Sequence, residues 1–200
     1  YDACLNLGGF SNISFSRNNK RLAFDICPVN IVLNLWATKL GFDYDDEGNL
    51  ASSGKLNQKL LDELNSLSYY SKPLPKSLGW EWVGNTVIPI LEKYNLPEVD
   101  ILRTFSEHVA IQMVTVFEVY NLRSVLLTGG GVFNSFIIQR MKQLTSNTLF
   151  QIEPKLIDTK EAMAFAFLGL MKLKKQNNIL SSVTGAVKDH CSGKMYPEEL

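Results

Sequence analysis

Histidine is scarce in this 200-residue chain, represented only by His108 and His190. That excludes a metal centre built from several imidazoles and leaves few candidates for a Ser/His/Asp triad. The three cysteines, Cys4, Cys27 and Cys191, are odd in number and far apart. They show neither the paired spacing of a zinc site nor the density of a secreted disulfide scaffold, so a reducing cytoplasm is the expected compartment. Excess charge of one sign is also lacking. Lys+Arg and Asp+Glu number 20 each, and without a positive surplus neither nucleic acid nor an anionic membrane surface is an expected partner. The longest apolar stretch, around Val109 to Tyr120, is broken by Gln112 and Glu118. It falls short of the roughly 18 uninterrupted residues that a membrane span needs, so a soluble protein is expected. Any chemistry must come from carboxylates, hydroxyls and backbone.

What is present suffices for one core. The chain is 46% hydrophobic and 20% charged, and a domain usually takes about 100 to 200 residues, so residues 1–200 read as a single domain. The first residue is Tyr1, followed by neither a basic flank nor a cleavage pattern. The expectation is a chain that begins inside a larger protein.

Three short β-type runs, Ala3 to Leu7, Ile13 to Ser16 and Arg21 to Phe24, are separated by the hairpin dipeptides Gly8-Gly9 and Asn18-Asn19. They predict an antiparallel meander. Ile31, Leu33, Leu35, Trp36 and Leu40 then mark a helix that Gly41 is placed to cap. Asp43 to Gly54 reads as loop, Leu56 to Leu67 as helix, and Lys72 to Gly79 as a Pro-containing break. Pro97 opens the longest helix, along which Ile101, Phe105, Val109, Met113, Val116 and Tyr120 recur every three or four residues. Ser124 to Thr128 is a strand that runs into Gly129-Gly130-Gly131 and then a helix over Phe136 to Leu144. Leu149 to Ile152 is a further strand, and Lys160 to Lys174 a helix with Ala162, Ala164, Ala166 and Gly169. A meander followed by alternating strands and helices predicts an α/β fold, a mixed sheet with helices on both faces.

Two glycine turns carry the strongest chemical signal. In Asn6-Leu7-Gly8-Gly9-Phe10-Ser11-Asn12 the glycines let backbone N–H groups approach an anion, and Asn6, Ser11 and Asn12 add donors. An ordinary tight turn has the same pattern. Thr128-Gly129-Gly130-Gly131-Val132-Phe133-Asn134 joins a strand to a helix, where a bare backbone ledge accepts a base or a phosphate. It matches neither G-x-G-x-x-G nor G-x-x-x-x-G-K-[ST], so the Rossmann and P-loop readings lose their support. Two such turns in one α/β chain are better explained together, by a nucleotide, than apart. Asp25, at the end of the third strand, and Glu161, at the start of the small-residue helix, are carboxylates that can face one cleft; as alternatives, one is a cap and the other serves the helix dipole. Asp43, Asp45, Asp46 and Glu47 lack the twelfth-position Glu of a Ca²⁺ loop and read as a solvated loop. His108, beside Glu107, could serve as a base but reads rather as a packing or surface residue, and Cys27, without a basic neighbour, as a small filler.

Taken in order, Asn6 to Asn12, Phe24-Asp25 with Pro28 and Asn30, Ser53-Gly54-Lys55, Pro75-Lys76-Ser77 with Gly79 and Glu81, Gly129-Gly130-Gly131 with Asn134, Glu161 to Ala166, and Val183-Thr184-Gly185-Ala186 followed by Tyr196-Pro197 resemble the carboxyl-terminal half of the anhydro-N-acetylmuramic acid kinases. That family belongs to the sugar kinase, Hsp70 and actin superfamily, whose two ribonuclease-H-like domains close around ATP. The resemblance implies a cytoplasmic enzyme of cell-wall recycling that uses ATP and Mg²⁺. Water attacks the anomeric carbon of 1,6-anhydro-N-acetylmuramic acid while the departing oxygen takes the γ-phosphoryl group. By position, Asn6, Gly8, Gly9, Ser11 and Asn12 would hold phosphate, Gly129, Gly130, Gly131 and Asn134 the adenosine, and Asp25 and Glu161 the sugar, with no metal ligand in this chain. A homodimer is compatible with the resemblance.

The family usually reads Phe-Asp-Thr-Gly-Pro-Gly-Asn where this chain has Phe24-Asp25-Ile26-Cys27-Pro28-Val29-Asn30. The first phosphate loop, Gly-Thr-Ser-x-Asp-Gly, and the catalytic aspartate are not among these residues. The resemblance therefore implies the second domain of a kinase, inactive without its amino-terminal domain. The alternatives are a noncatalytic ATP-binding module of the same superfamily and a kinase for a related amino sugar.

Overall fold

A computed structural model describes residues 1–196; Pro197, the last residue of the resemblance, lies outside the described residues. Five strands form one sheet in the order β3-β2-β1-β4-β5. The meander is β1 (Ala3–Leu7), β2 (Phe10–Arg17) and β3 (Lys20–Pro28), and its two pairings are antiparallel. β4 (Ser124–Thr128) lies parallel to β1, and β5 (Thr148–Gln151) parallel to β4. β2 and β3 extend past the predicted limits because their pairing continues up to both turns, from Arg17 with Lys20 to Phe10 with Pro28. Asn18 and Asn19 both take positive φ, 50° and 58°, as a two-residue hairpin requires.

Ten-residue α1 (Asn30–Lys39) follows the meander. The supposed loop after it contains a 3₁₀ turn at Asp46–Gly48 and α2 (Asn49–Ser53). These form through capping rather than periodicity: the buried Asp45 carboxylate accepts from the backbone N–H groups of Leu50 (2.7 Å) and Ala51 (3.0 Å). After α3 (Gln58–Asn65), α4 (Trp80–Trp82) and α5 (Ile88–Lys93) are joined by a π-helical turn at Val83–Val87. The sequence signalled no helix here, because Pro89 has no N–H for an α-helical bond; the widened turn before it relieves the clash with the preceding carbonyl.

The 23-residue α6 (Glu98–Tyr120) is the central helix, and Phe105, Val109, Met113 and Phe117 on it pack with Leu5, Leu7, Ile13, Phe15, Val125 and Leu127 of the sheet in one core. Each such fully buried side chain contributes about 1.5–3 kcal/mol. α7 (Ser135–Leu144) packs beside α6, and the buried Glu107 joins them by accepting from Arg103 (2.9 Å) and Arg140 (2.7 Å). His108 is fully buried. Its Nδ1 lies 2.6 Å from Asn65 Oδ1, an acceptor, so Nδ1 carries the proton and Nε2 accepts from Tyr70 at 2.7 Å. Burial pushes this imidazole down to about 3, which keeps it neutral.

The opposite sheet face is more open. α8 (Pro154–Leu173) reaches it through Lys160, which donates from Nζ to Asn6 Oδ1, while Cys4 and Asn12 on that face remain exposed. α8 begins before the predicted Lys160 and exposes Phe165, Phe167 and Leu170. The short α9 (Ser181–Thr184) returns to β3, with Ser182 Oγ donating to the Arg21 carbonyl at 2.6 Å. Among the described residues no helix is long and apolar enough to cross a membrane.

Candidate functional site

The parallel alignment of β1 with β4 brings the two glycine turns into contact. Gly129 has φ +86°, and a Cβ there would meet Asn6 Oδ1 and the Leu7 carbonyl oxygen, each at 2.6 Å. At Gly131 an added Cβ would lie 2.8 Å from Leu7 Cβ. Both glycines are demanded by this close approach. Gly130 differs: an added Cβ there meets nothing within 4 Å, and its φ lies outside the left-handed region. The fold does not need a glycine at that position; the space in front of it stays open.

That space is a cavity of about 770 Å³, whose walls include Gly130, Gly131 and Asn134 with Asn30 and Asn34 of α1. Asn134 is buried, and its Oδ1 caps α7 by accepting from Ile137 N at 3.0 Å. The volume falls within the roughly 300–1,000 Å³ usual for small-molecule sites. Asp46 and Glu47 also line it, although the sequence reading made them a solvated loop. They arrive there because Gly48 sits where any side chain would overlap Asn134 and Phe136, a close approach with no linear signature.

Strand register lines up a second set of groups. Asp25 pairs with Asn12, Asn12 with Asn6, and Asn6 with Thr128. The row lies on the face opposite Leu5 and Leu7, since alternate residues of a strand face opposite ways. A register shift between Ser11 and Asn12 permits this row, and Ser11 faces inward with Ile13 and Phe15 by strand alternation. Ser11 is fully buried, donating to the Cys27 carbonyl (3.0 Å) and accepting from Cys27 N (3.2 Å). Its expected role as a phosphate donor is therefore corrected: that hydroxyl holds β2 to β3. The Gly8-Gly9 turn is fastened to α1, with Val29 N donating to Gly9 O at 2.8 Å and Asn30 N to Gly8 O at 3.3 Å. Gly8 N–H is itself committed to the Phe10 carbonyl, whereas Gly9 is exposed.

Asp25 is half-buried, and its carboxylate accepts from Leu78 N at 2.8 Å while its carbonyl accepts from Tyr69 at 2.7 Å. It thus ties down the Pro75–Gly79 segment. Burial holds Lys76 of that segment below the ordinary lysine range. Glu161 belongs to α8. It lies well inside α8 rather than at its start, is exposed, and does not line the cavity. Dipole service at a helix start is therefore corrected. Ile26, Cys27 and Val29, the departures from the family turn, are core residues. Among the described residues no group of three or more His, Cys, Asp or Glu is placed to hold a metal ion. Sequence reasoning passed over Thr128 and Lys160. The Thr128 hydroxyl is buried without a hydrogen-bond partner among the described residues, and Lys160 was read only as part of a helix.

A three-strand meander continued by parallel strands, with ligand-sized space at the second of two touching glycine turns, defines an actin-like α/β domain of the ribonuclease-H type. Solved structures agree on the fold. The activator of 2-hydroxyisocaproyl-CoA dehydratase from Clostridium difficile, solved with bound ADPNP, is 19% identical with a TM-score of 0.52, covering 88% of this chain and 64% of that one. Component A of the (R)-2-hydroxyglutaryl-CoA dehydratase of Acidaminococcus fermentans is 16% identical with a TM-score of 0.51, covering 81% and 58%. The chain belongs to the anhydro-N-acetylmuramic acid kinase family, whose model matches residues 1–198. Kinases of this name from Coxiella burnetii and Haemophilus influenzae are each 33% identical, over 96% and 98% of this chain. The chain covers 54% and 57% of those two proteins, so it spans about half their length.

Proposed function

We propose that these residues are the nucleotide-holding domain of an ATP-dependent kinase that converts 1,6-anhydro-N-acetylmuramic acid to N-acetylmuramic acid 6-phosphate in cell-wall recycling. The carrying observation is the contact between the two glycine turns, with a nucleoside-sized cavity at one and the row Asp25-Asn12-Asn6-Thr128 beginning at the other. Family membership supports the kinase class and the use of ATP. In this reading the adenosine lies over Gly130 with Asn134 at its edge, and its phosphates run toward Asn6, Gly8, Gly9 and Asn12. Asp25 and Glu161 approach the sugar from separate elements.

Phosphoryl transfer is mostly positioning and charge stabilisation. This domain contributes both, through backbone and amide donors held on rigid strand ends. Mg²⁺, when bound, offsets the phosphoryl charge. The carboxylate that takes the proton from the attacking water, and the Gly-Thr-Ser-x-Asp-Gly loop facing the phosphates, belong in this proposal to residues outside the present 200.

Two measurements test it. Calorimetric titration of this chain with ATP should show saturable binding. A whole kinase containing this domain, given ATP, Mg²⁺ and the anhydro sugar, should release ADP in proportion to sugar phosphate. ATP binding without any phosphorylated sugar would instead mark a noncatalytic module, and faster turnover on another N-acetyl sugar a kinase for that sugar. Folded chain that binds no nucleotide rejects the reading.

A further inference from the structure

Asn6 is approached from two sides by groups that the glycine-turn reading leaves unused. Its register partner Thr128 is only 8% exposed, and the Thr128 hydroxyl has no hydrogen-bond partner among the described residues. Such a hydroxyl costs free energy unless something satisfies it, so a buried orphan marks a place where a ligand or water completes the structure. From the other side, Lys160 Nζ donates to Asn6 Oδ1. Lys160 is half-buried, and Ile157, three residues earlier on the same helix and therefore on the same face, lines the cavity below Gly130. The first half of α8 thus runs from the nucleoside cavity to the strand-end row. The residue after Thr128 is Gly129, which touches Asn6 in turn. A cation, an unpaired hydroxyl and a carboxamide meet where the carboxyl ends of β1 and β4 lie side by side.

We propose that Lys160 and Thr128, with Asn6 between them, form the anion seat for the nucleotide's phosphate chain. This rests on the nucleotide reading above and adds a cationic ligand to it. Lys160 is held by Asn6. When phosphate enters, the ammonium shifts its charge-assisted hydrogen bonds from the amide oxygen to phosphate oxygens, and the Thr128 hydroxyl acquires an acceptor. α8 would then read the charge of the ligand as well as close the side of its site. A compact ammonium suits this task, since it binds phosphate as a point charge and needs no planar partner.

The test is a calorimetric series of adenosine, AMP, ADP and ATP against wild type, Lys160→Met, Lys160→Arg and Thr128→Val, with a thermal melt of each protein. Lys160→Met should weaken ADP and ATP about 10- to 100-fold, the range for losing a charge-assisted contact, and leave adenosine unchanged. Lys160→Arg should recover part of that loss. Thr128→Val should weaken the phosphorylated ligands about 3- to 10-fold, as one neutral hydrogen bond allows, while melting at or above the wild-type temperature because the orphan hydroxyl is gone. If wild type binds ATP but Lys160→Met lowers the affinity for adenosine and ATP by the same factor, or for neither, the anion seat is wrong and the nucleotide site stands. If wild type binds none of the four, both readings fail.

Discussion

Replacing Gly130 with valine separates what the fold needs from what a ligand needs. A Cβ at Gly130 has open space around it and an ordinary φ, so the variant should melt close to wild type, within the roughly 0.5 kcal/mol typical of substitutions that disturb no packing. The same side chain stands in the wall of the 770 Å³ cavity, where a bound base would lie. Forcing a branched group against a seated ring resembles overpacking, which costs about 1–3 kcal/mol and corresponds to about 5- to 150-fold in Kd. The neighbouring glycines supply the control. Gly131→Ala puts its Cβ 2.8 Å from Leu7 Cβ, and Gly129→Ala adds a positive φ to contacts of 2.6 Å. Each should lose about 1–3 kcal/mol of stability, a fall of roughly 2 to 12 °C in Tm for a domain of this size. Thermal melts and ATP titration of the three variants provide the readouts. A folded Gly130→Val protein with wild-type ATP affinity, or one that melts as early as Gly131→Ala, would refute the assignment of this ledge to adenosine.

Acid should destabilise the domain through His108. Its folded value near 3 lies below the 6.5 of an unperturbed imidazole, so the unfolded chain binds a proton first, and stability falls by about 1.4 kcal/mol per pH unit as pH drops below 6.5. Urea titrations at pH 7 and pH 5 check this, and His108→Gln should flatten the slope. Glu107 is raised by burial, but hydrogen bonds from Arg140 and Arg103 outweigh that and hold it below the ordinary carboxylate range. Glu107→Gln should therefore cost about 2–4 kcal/mol at pH 7, read from the urea midpoint, with the difference from wild type shrinking in acid as Glu107 protonates. Cys27 is pushed up to about 12 by burial, so a thiol reagent at pH 8 should label exposed Cys4 rapidly and Cys27 only after denaturation.

Legibility varied with the range of the interaction. β1 and β4 were read to the residue, because a short buried strand between turn residues leaves little choice of limits. α6 was equally plain, since its apolar repeat is long and Pro97 precedes it. Helix 80–93 escaped notice because a proline lies inside it, and α2 because its start depends on the Asp45 side chain. Ser11 looked like a donor in a glycine turn, yet β2 begins at Phe10 and its alternation puts Ser11 on the core face against Cys27. Thr128 and Lys160 were hidden for another reason. Nothing local distinguishes a threonine at a strand end or a lysine in a helix until strand pairing puts one beside Asn6 and the helix after β5 brings the other back to it.

Local chemistry alone therefore determined the α/β class, the meander and the positions of the two glycine turns. Periodicity, turn dipeptides and motif order are properties of neighbouring residues, and they survive without a fold. Only tertiary structure decided that Gly129 and Gly131 serve close packing while Gly130 leaves space, that Asp46 and Glu47 wall a cavity, and that Lys160 reaches Asn6. Each of those outcomes turns on which distant backbone lies within a few ångströms, and that is settled by sheet register and helix crossover.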